Sequence, residues 1–148
     1  MTPSRKVLVN KIVSADKKRQ HQLELVENEN VFCLSRIYYA DSEPINYTTT
    51  FLPYKYINGI EKHDFSRESL YEVIEKEYNI QIYRAERTIE AVIAHGEIAE
   101  YLDVNEGIPL LLFQCVTYGK ILGKEYPIET FKCSYRSDKF KFYINQIR

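Results

Sequence analysis

The sequence predicts an α+β domain, a mainly antiparallel sheet with a few helices packed on it. Two observations carry this. Most of the chain falls into runs of β-branched and aromatic residues alternating with polar ones, separated by short turn-like clusters. Residues 67–78 alone carry a clean helical stripe, in Leu70, Val73, Ile74 and Tyr78. The 148 residues fit one domain, large enough to bury a core without covalent staples.

The elements follow in order. Residues 6–13, Lys-Val-Leu-Val-Asn-Lys-Ile-Val, are the first predicted strand. Residues 14–25 are polar and helix-tolerant, with Ser14 or Asp16 as cap. Residues 31–39 are rich in aromatic and β-favouring side chains. Turn chemistry at Ala40-Asp41-Ser42-Glu43-Pro44 and renewed alternation over 45–52 make a β-hairpin. Pro53 to Gly59 reads as irregular chain or one helical turn. Helix 67–78 takes its N-cap from Ser66 or Asp64 and stops at a left-handed Asn79. A long strand is predicted over 81–94. A short helix over 97–102 turns Ile98, Tyr101 and Leu102 inward and ends near Gly107. Strands 109–118 and 125–135 flank a turn at Gly119-Lys120-Ile121-Leu122-Gly123, and Phe140, Phe142 and Ile144 alternate with polar residues at the end.

Composition narrows the function classes. Thirteen Tyr and seven Phe against no Trp favour strands and half-polar pockets, because each tyrosine offers an apolar ring and one hydroxyl. The formal net charge of −1 argues against a nucleic-acid-binding domain, which needs a basic excess or face. The basic stretch Lys132, Arg136, Lys139, Lys141 reads as a solvated strand edge. Cys33, Cys115 and Cys133 are widely spaced, lie in apolar runs, and match no metal-ligand or disulfide pattern. They read as buried free thiols in a reducing compartment. No secretory signal core or membrane-length apolar run occurs, so the cytoplasm is the expected location. No metal or cofactor is expected.

Two charged residues stand where alternation places apolar ones. Phe32, Leu34, Arg36 and Tyr38 share one face of their strand. Pro127, Glu129, Phe131, Cys133 and Tyr135 share one face of theirs. An unpaired guanidinium or carboxylate in apolar surroundings costs several kcal/mol, roughly. Three readings remain open. The strands twist so that these positions reach water, or the two side chains bridge each other, or they line a pocket for a small polar ligand. Ser69, in the first turn of the predicted helix, adds free backbone N–H groups that favour an anion. No histidine sits in a nucleophilic arrangement, and there is no Gly-rich phosphate loop.

Six segments in order carry a resemblance. They are Leu34-Ser-Arg36-Ile-Tyr38-Tyr-Ala40-Asp41-Ser-Glu-Pro44-Ile45, Phe51-Leu52-Pro53, Ser69-Leu70-Tyr71-Glu-Val-Ile, Ile89-Glu90-Ala91, Ala99-Glu-Tyr-Leu102-Asp-Val-Asn-Glu-Gly107, and Tyr126-Pro127-Ile128-Glu129 with Tyr135-Arg136-Ser-Asp138-Lys-Phe140. From about residue 6 to 144 the chain resembles the effector-binding (UTRA) domain of GntR-type transcription regulators of the HutC branch. The resemblance implies a chorismate-lyase-like α+β fold over residues 6–148. Residues 1–5 would be the end of a linker, and the N-terminal winged helix-turn-helix would be absent from this chain. It implies a homodimer that binds a small-molecule effector, commonly a sugar phosphate or other anionic metabolite, and meets operator DNA only through that missing domain. Arg36 then holds the anionic end of the effector, and Ser69 and Tyr71 supply helix-start contacts. Glu129 and Tyr135 face the polar body, and the loop around Ser14 closes over the site. Thr48 and Thr50 are further lining positions. Many such sensors carry Arg-x-Arg, whereas here the second position is Tyr38. One guanidinium is thereby exchanged for a neutral hydroxyl. The rival of another class is an enzyme of the same fold, a chorismate lyase, though Glu129 has no evident partner for acid–base work.

Overall fold

The computed structural model describes residues 2–147, so the extreme ends of the expected ranges, Met1 and Arg148, lie outside the described residues. Strands β1 (Pro3–Ser14), β2 (Asn30–Ala40), β3 (Glu43–Pro53), β4 (Gln81–Ile93), β5 (Pro109–Ile121) and β6 (Lys124–Arg136) form one sheet. Its order is β1-β2-β3-β6-β5-β4, and every neighbouring pair is antiparallel. Three short helices pack on it: α1 (Lys17–Leu23), α2 (Leu70–Glu77) and α3 (Gly96–Tyr101). This is the predicted α+β class. No helix among the described residues is long and apolar enough to cross a membrane.

The two faces of the sheet are covered differently. Phe32, Leu34, Leu52 and Ile128 pack under α2 and the loops leading to it, against Ile57, Ile60, Phe65, Leu70, Val73 and Ile74. Opposite, α1 lies over Val31 through Leu23, while α3 lies over Leu110 through Ala99 and Leu102. Period-2 alternation divides each strand between these layers.

Several boundaries differ from expectation for local reasons. The first strand begins at Pro3 and extends to Ser14, because β2 supplies partners from Ala40 down to Asn30. Helix α1 is shorter than residues 14–25 and starts after Asp16, whose carboxylate accepts from the Arg19 N–H at 2.9 Å. Helix α2 begins at Leu70, with Ser69 as N-cap accepting from the Glu72 N–H. Asp64 is occupied in a tight turn with Ser66, and neither caps the helix. In α3, Ala99 and Leu102 are fully inside, whereas Ile98 and Tyr101 are half-buried. Both hairpin turns are tighter than predicted. Asp41-Ser42 and Leu122-Gly123 are two-residue connections with positive φ at both positions.

Two further expectations are corrected. Lys132 and Arg136 lie on β6, which is interior to the sheet, so the basic stretch is no strand edge. The terminal Phe140, Phe142 and Ile144 form no strand. Phe140 instead stacks on Tyr135 at 4.1 Å between ring centres, and Phe140 and Phe142 meet Phe113 edge-on.

Candidate functional site

A cavity of about 300 Å³ lies on the α2 face, beside the apolar cluster, where the helix begins and the core runs out. Register builds its floor. On β2 and β3, Arg36 faces Thr48, Tyr38 faces Asn46, and Leu34 faces Thr50. On the next strand Thr50 meets Phe131, Thr48 meets Cys133, and Asn46 meets Tyr135. Ser69, Leu70 and Tyr71 close it from above, and Arg5 of β1 stands at the side.

A bulge supplies the acidic member. Between β5 and β6 the pairing passes from Thr117–Glu129 to Tyr118–Pro127, leaving Ile128 as the extra residue. Ile128 therefore enters the apolar cluster on the same side as Glu129, and Pro127 does not share the face of Glu129 as simple alternation suggests. Gly119 makes room for this. A Cβ there would stand 2.8 Å from Ile80 and 2.9 Å from Ile128.

Arg36 is 5% exposed and Glu129 2%, so neither reaches bulk water. They do not pair with each other. The Glu129 Oε1 accepts hydrogen bonds from the Tyr71 hydroxyl at 2.7 Å and the Thr117 hydroxyl at 2.9 Å. The Nη1 of Arg36 is buried without any hydrogen-bond partner. Its guanidinium lies 5.2 Å from the centre of the Tyr38 ring. Of the three readings left open by the sequence, the structure shows the enclosed polar pocket.

Burial sets the electrostatics. It pushes the Glu129 carboxyl above its ordinary range, although the two hydroxyl donors and Arg36 pull the other way. Burial pulls the Arg36 pKa down, and the nearby Arg5 charge adds to this. The Tyr71 and Tyr135 phenols are raised chiefly by burial, and so stay protonated as donors. The ring of Tyr71 is partly exposed, but its hydroxyl turns inward to Glu129. Cys133 is raised to about 11 by burial and accepts from the Thr48 hydroxyl, so this thiol is inert at neutral pH. All three cysteines are buried and free.

The structure brings Arg36, Tyr38, Thr48, Thr50, Ser69, Tyr71, Glu129 and Tyr135 to one cavity. It does not bring Ser14 there. Ser14 ends β1 opposite Asn30, whereas Val7 lies opposite Arg36. At about 3.3 Å per residue the two positions are roughly 20 Å apart, and Ser14 belongs to a strand rather than a closing loop. Sequence reasoning missed Arg5, Asn46 and Leu70 as lining residues, and did not single out Phe131 and Cys133. Asn46 shares the parity of Thr48 and Thr50, and that signal was readable. Arg5 was not, because the strand that carries it was placed to begin one residue later.

A second groove, about 440 Å³, lies on the opposite face between α1 and α3. Its walls are mainly Phe51, Val92, Ile93, Ile98 and Leu110, and it holds no buried carboxylate.

Comparison with known proteins gives the same direction. The UTRA domain family model matches residues 1–141. The chain is 25% identical over 142 residues to the HTH-type transcriptional repressor NagR of Bacillus subtilis, spanning 96% of this chain and 57% of that protein. It is 26% identical over 105 residues to the HTH-type transcriptional regulator YurK of the same organism, covering 71% of this chain and 43% of YurK. The chain thus spans about half the length of these curated relatives. Among solved structures, a GntR-family transcriptional regulator from Enterococcus faecalis superposes with a TM-score of 0.87 at 26% identity, covering 97% of this chain and 100% of that one. The effector domain of PhnF from Mycobacterium smegmatis has the same fold, with a TM-score of 0.91 at 22% identity over 99% of this chain and 88% of that chain. With its six-stranded antiparallel sheet and the match over nearly its whole length, the chain belongs to the UTRA domain family, the effector-binding domain of GntR-family transcriptional regulators.

Proposed function

We propose that the cavity beneath α2 binds a small anionic effector, of the sugar phosphate kind or a similar metabolite, and that the chain is the sensing and dimerising part of a cytoplasmic bacterial regulator of the HutC branch. The observation that carries this is Arg36, nearly fully buried at the cavity wall with Nη1 unpartnered. A buried charge without a partner is costly, and an anion in the cavity removes that cost. The start of α2 assists. Ser69 is the N-cap, and the Leu70 and Tyr71 N–H groups precede the first intrahelical bond, so they are free for the same anion. Across the cavity, Glu129 has one oxygen saturated by Tyr71 and Thr117, leaving the other for hydroxyl or ammonium donors of the ligand body. Arg36, Tyr38, Ser69, Tyr71, Glu129, Tyr135, Thr48 and Thr50 are the binding residues on this reading.

Signalling follows as linkage. An effector that prefers one arrangement of the homodimer shifts how attached DNA readers are spaced. Half-sites lie about one helical turn apart, so a small change in separation alters operator binding. The regulator relatives favour this reading over the lyase.

Thermal-shift screening against sugar phosphates, amino sugars and organic acids tests the proposal. A ligand at a hundredfold its dissociation constant stabilises by roughly 2.7 kcal/mol. Arg36→Ala and Ser69→Ala should each abolish the shift and leave a folded domain. Full ligand stabilisation of Arg36→Ala would refute the anion site, and pyruvate release from chorismate would establish the enzyme instead.

A further inference from the structure

We propose that Arg5 of β1 is a second anion-binding residue of this cavity, and that the acidic group it helps hold is a dianion of the phosphate or phosphonate class. The inference rests on the effector-binding reading above and adds a residue and a charge state to it. Arg5 sits directly across from Tyr38 in the β1–β2 ladder, and Val7 lies across from Arg36. Arg5 thus stands on the cavity side of β1, beside the strand that carries Arg36. Its Nη2 donates to the Arg67 carbonyl at 2.9 Å, which holds the guanidinium near the start of α2. No carboxylate pairs with Arg5 among the described residues.

Three sets of donors therefore surround one end of the cavity. Arg36 comes from β2, Arg5 from β1, and Ser69 with the Leu70 and Tyr71 N–H groups from the start of α2. A carboxylate presents two oxygens, whereas a phosphate monoester or phosphonate presents three. Charge points the same way. Two guanidiniums face one carboxyl, Glu129, whose protonated form is favoured by burial. With Glu129 neutral the cavity carries two positive charges, and a dianion balances them. The like-charge pressure of Arg5 on Arg36 shows in the lowered Arg36 pKa, where it adds to burial. Tyr38, between them in the fold, contributes a neutral ring against Arg36 and leaves the second charge to β1.

The test uses the purified chain at fixed ionic strength with two probes, inorganic phosphate and acetate, followed by calorimetry or melting temperature. Wild type should bind phosphate more tightly than acetate. Arg5→Gln should weaken phosphate by at least about tenfold, the loss of one charge-assisted contact, and leave acetate nearly unchanged. Arg5→Lys should restore part of the phosphate affinity, since it keeps the charge and loses the fork. A purely structural Arg5 would lower the melting temperature of the free chain through the lost Arg67 contact, without altering the phosphate-to-acetate ratio. That result overturns the proposal, as does equal binding of the two probes to wild type. If Arg5→Gln binds phosphate like wild type while Arg36→Gln does not, the second-arginine proposal falls and the effector site stands. If neither probe binds wild type, both fall.

Discussion

Glu129→Gln should raise stability at neutral pH. The carboxyl is 2% exposed, and both of its hydrogen bonds go to Oε1. Glutamine keeps an acceptor for Tyr71 and Thr117 and removes only the charge. Two donors to a carboxylate contribute about 1.5–3 kcal/mol each, against an effective desolvation penalty of several kcal/mol. The pKa of Glu129 is raised, so the penalty exceeds the two hydrogen bonds and the Arg36 attraction together. The folded state then holds the proton more tightly than the unfolded state. The carboxyl's contribution is complete below its ordinary value of 4.5 and is lost as pH climbs through the raised one. Each unit of elevation is worth about 1.4 kcal/mol, and each kcal/mol moves the melting temperature of a domain this size by about 2–4 °C. Calorimetric melting from pH 4.5 to 8 should show the variant and wild type close together at the acid end. The variant should melt progressively higher toward pH 8. A variant that melts below wild type at pH 7.5, or a difference that does not change with pH, would refute the argument. Either result would mean that Arg36 and the two hydroxyls over-compensate the burial of the charge.

Gly119→Ala should destabilise by about 1–3 kcal/mol, because the new methyl would collide with Ile80 and Ile128 at the β6 bulge. Unchanged chemical denaturation would show that the bulge can move. His63 bridges Glu68 at 3.0 Å and Glu77 at 2.6 Å, and the Glu68 hydrogen bond chiefly raises its pKa. Its stabilising contribution is full below 6.5 and fades as pH rises through the raised value. His63→Gln should remove that slope, a change below about 1 kcal/mol because the site is partly wet. A slope that survives in the variant would assign it to another group.

The fold class and most of the cavity were legible because period-2 alternation is a local property. Arg36 and Glu129 broke the apolar pattern of their faces, and both faces do meet at one cavity. Cross-strand facts were not legible. Nothing in residues 124–136 says that β6 inserts between β3 and β5, yet that insertion sets Tyr135 beside Asn46 and takes Lys132 off any edge. Register hid Arg5, since its position follows from pairing with Tyr38 rather than from its own neighbours. It also misplaced Ser14, which local composition assigns to a loop and pairing assigns to a strand. The bulge at Ile128 reversed the parity of Pro127, and no residue there announces it.

The cavity is assembled from positions 5, 36–50, 69–71 and 129–135, scattered across nearly the whole chain. No excised hairpin or partly folded intermediate can own it. Whatever occupies it is bound by the finished molecule alone, and its full binding free energy protects the native state from cleavage by cellular proteases. Abundance then tracks occupancy, so starvation for the ligand would shorten the lifetime of the molecule as well as change its shape.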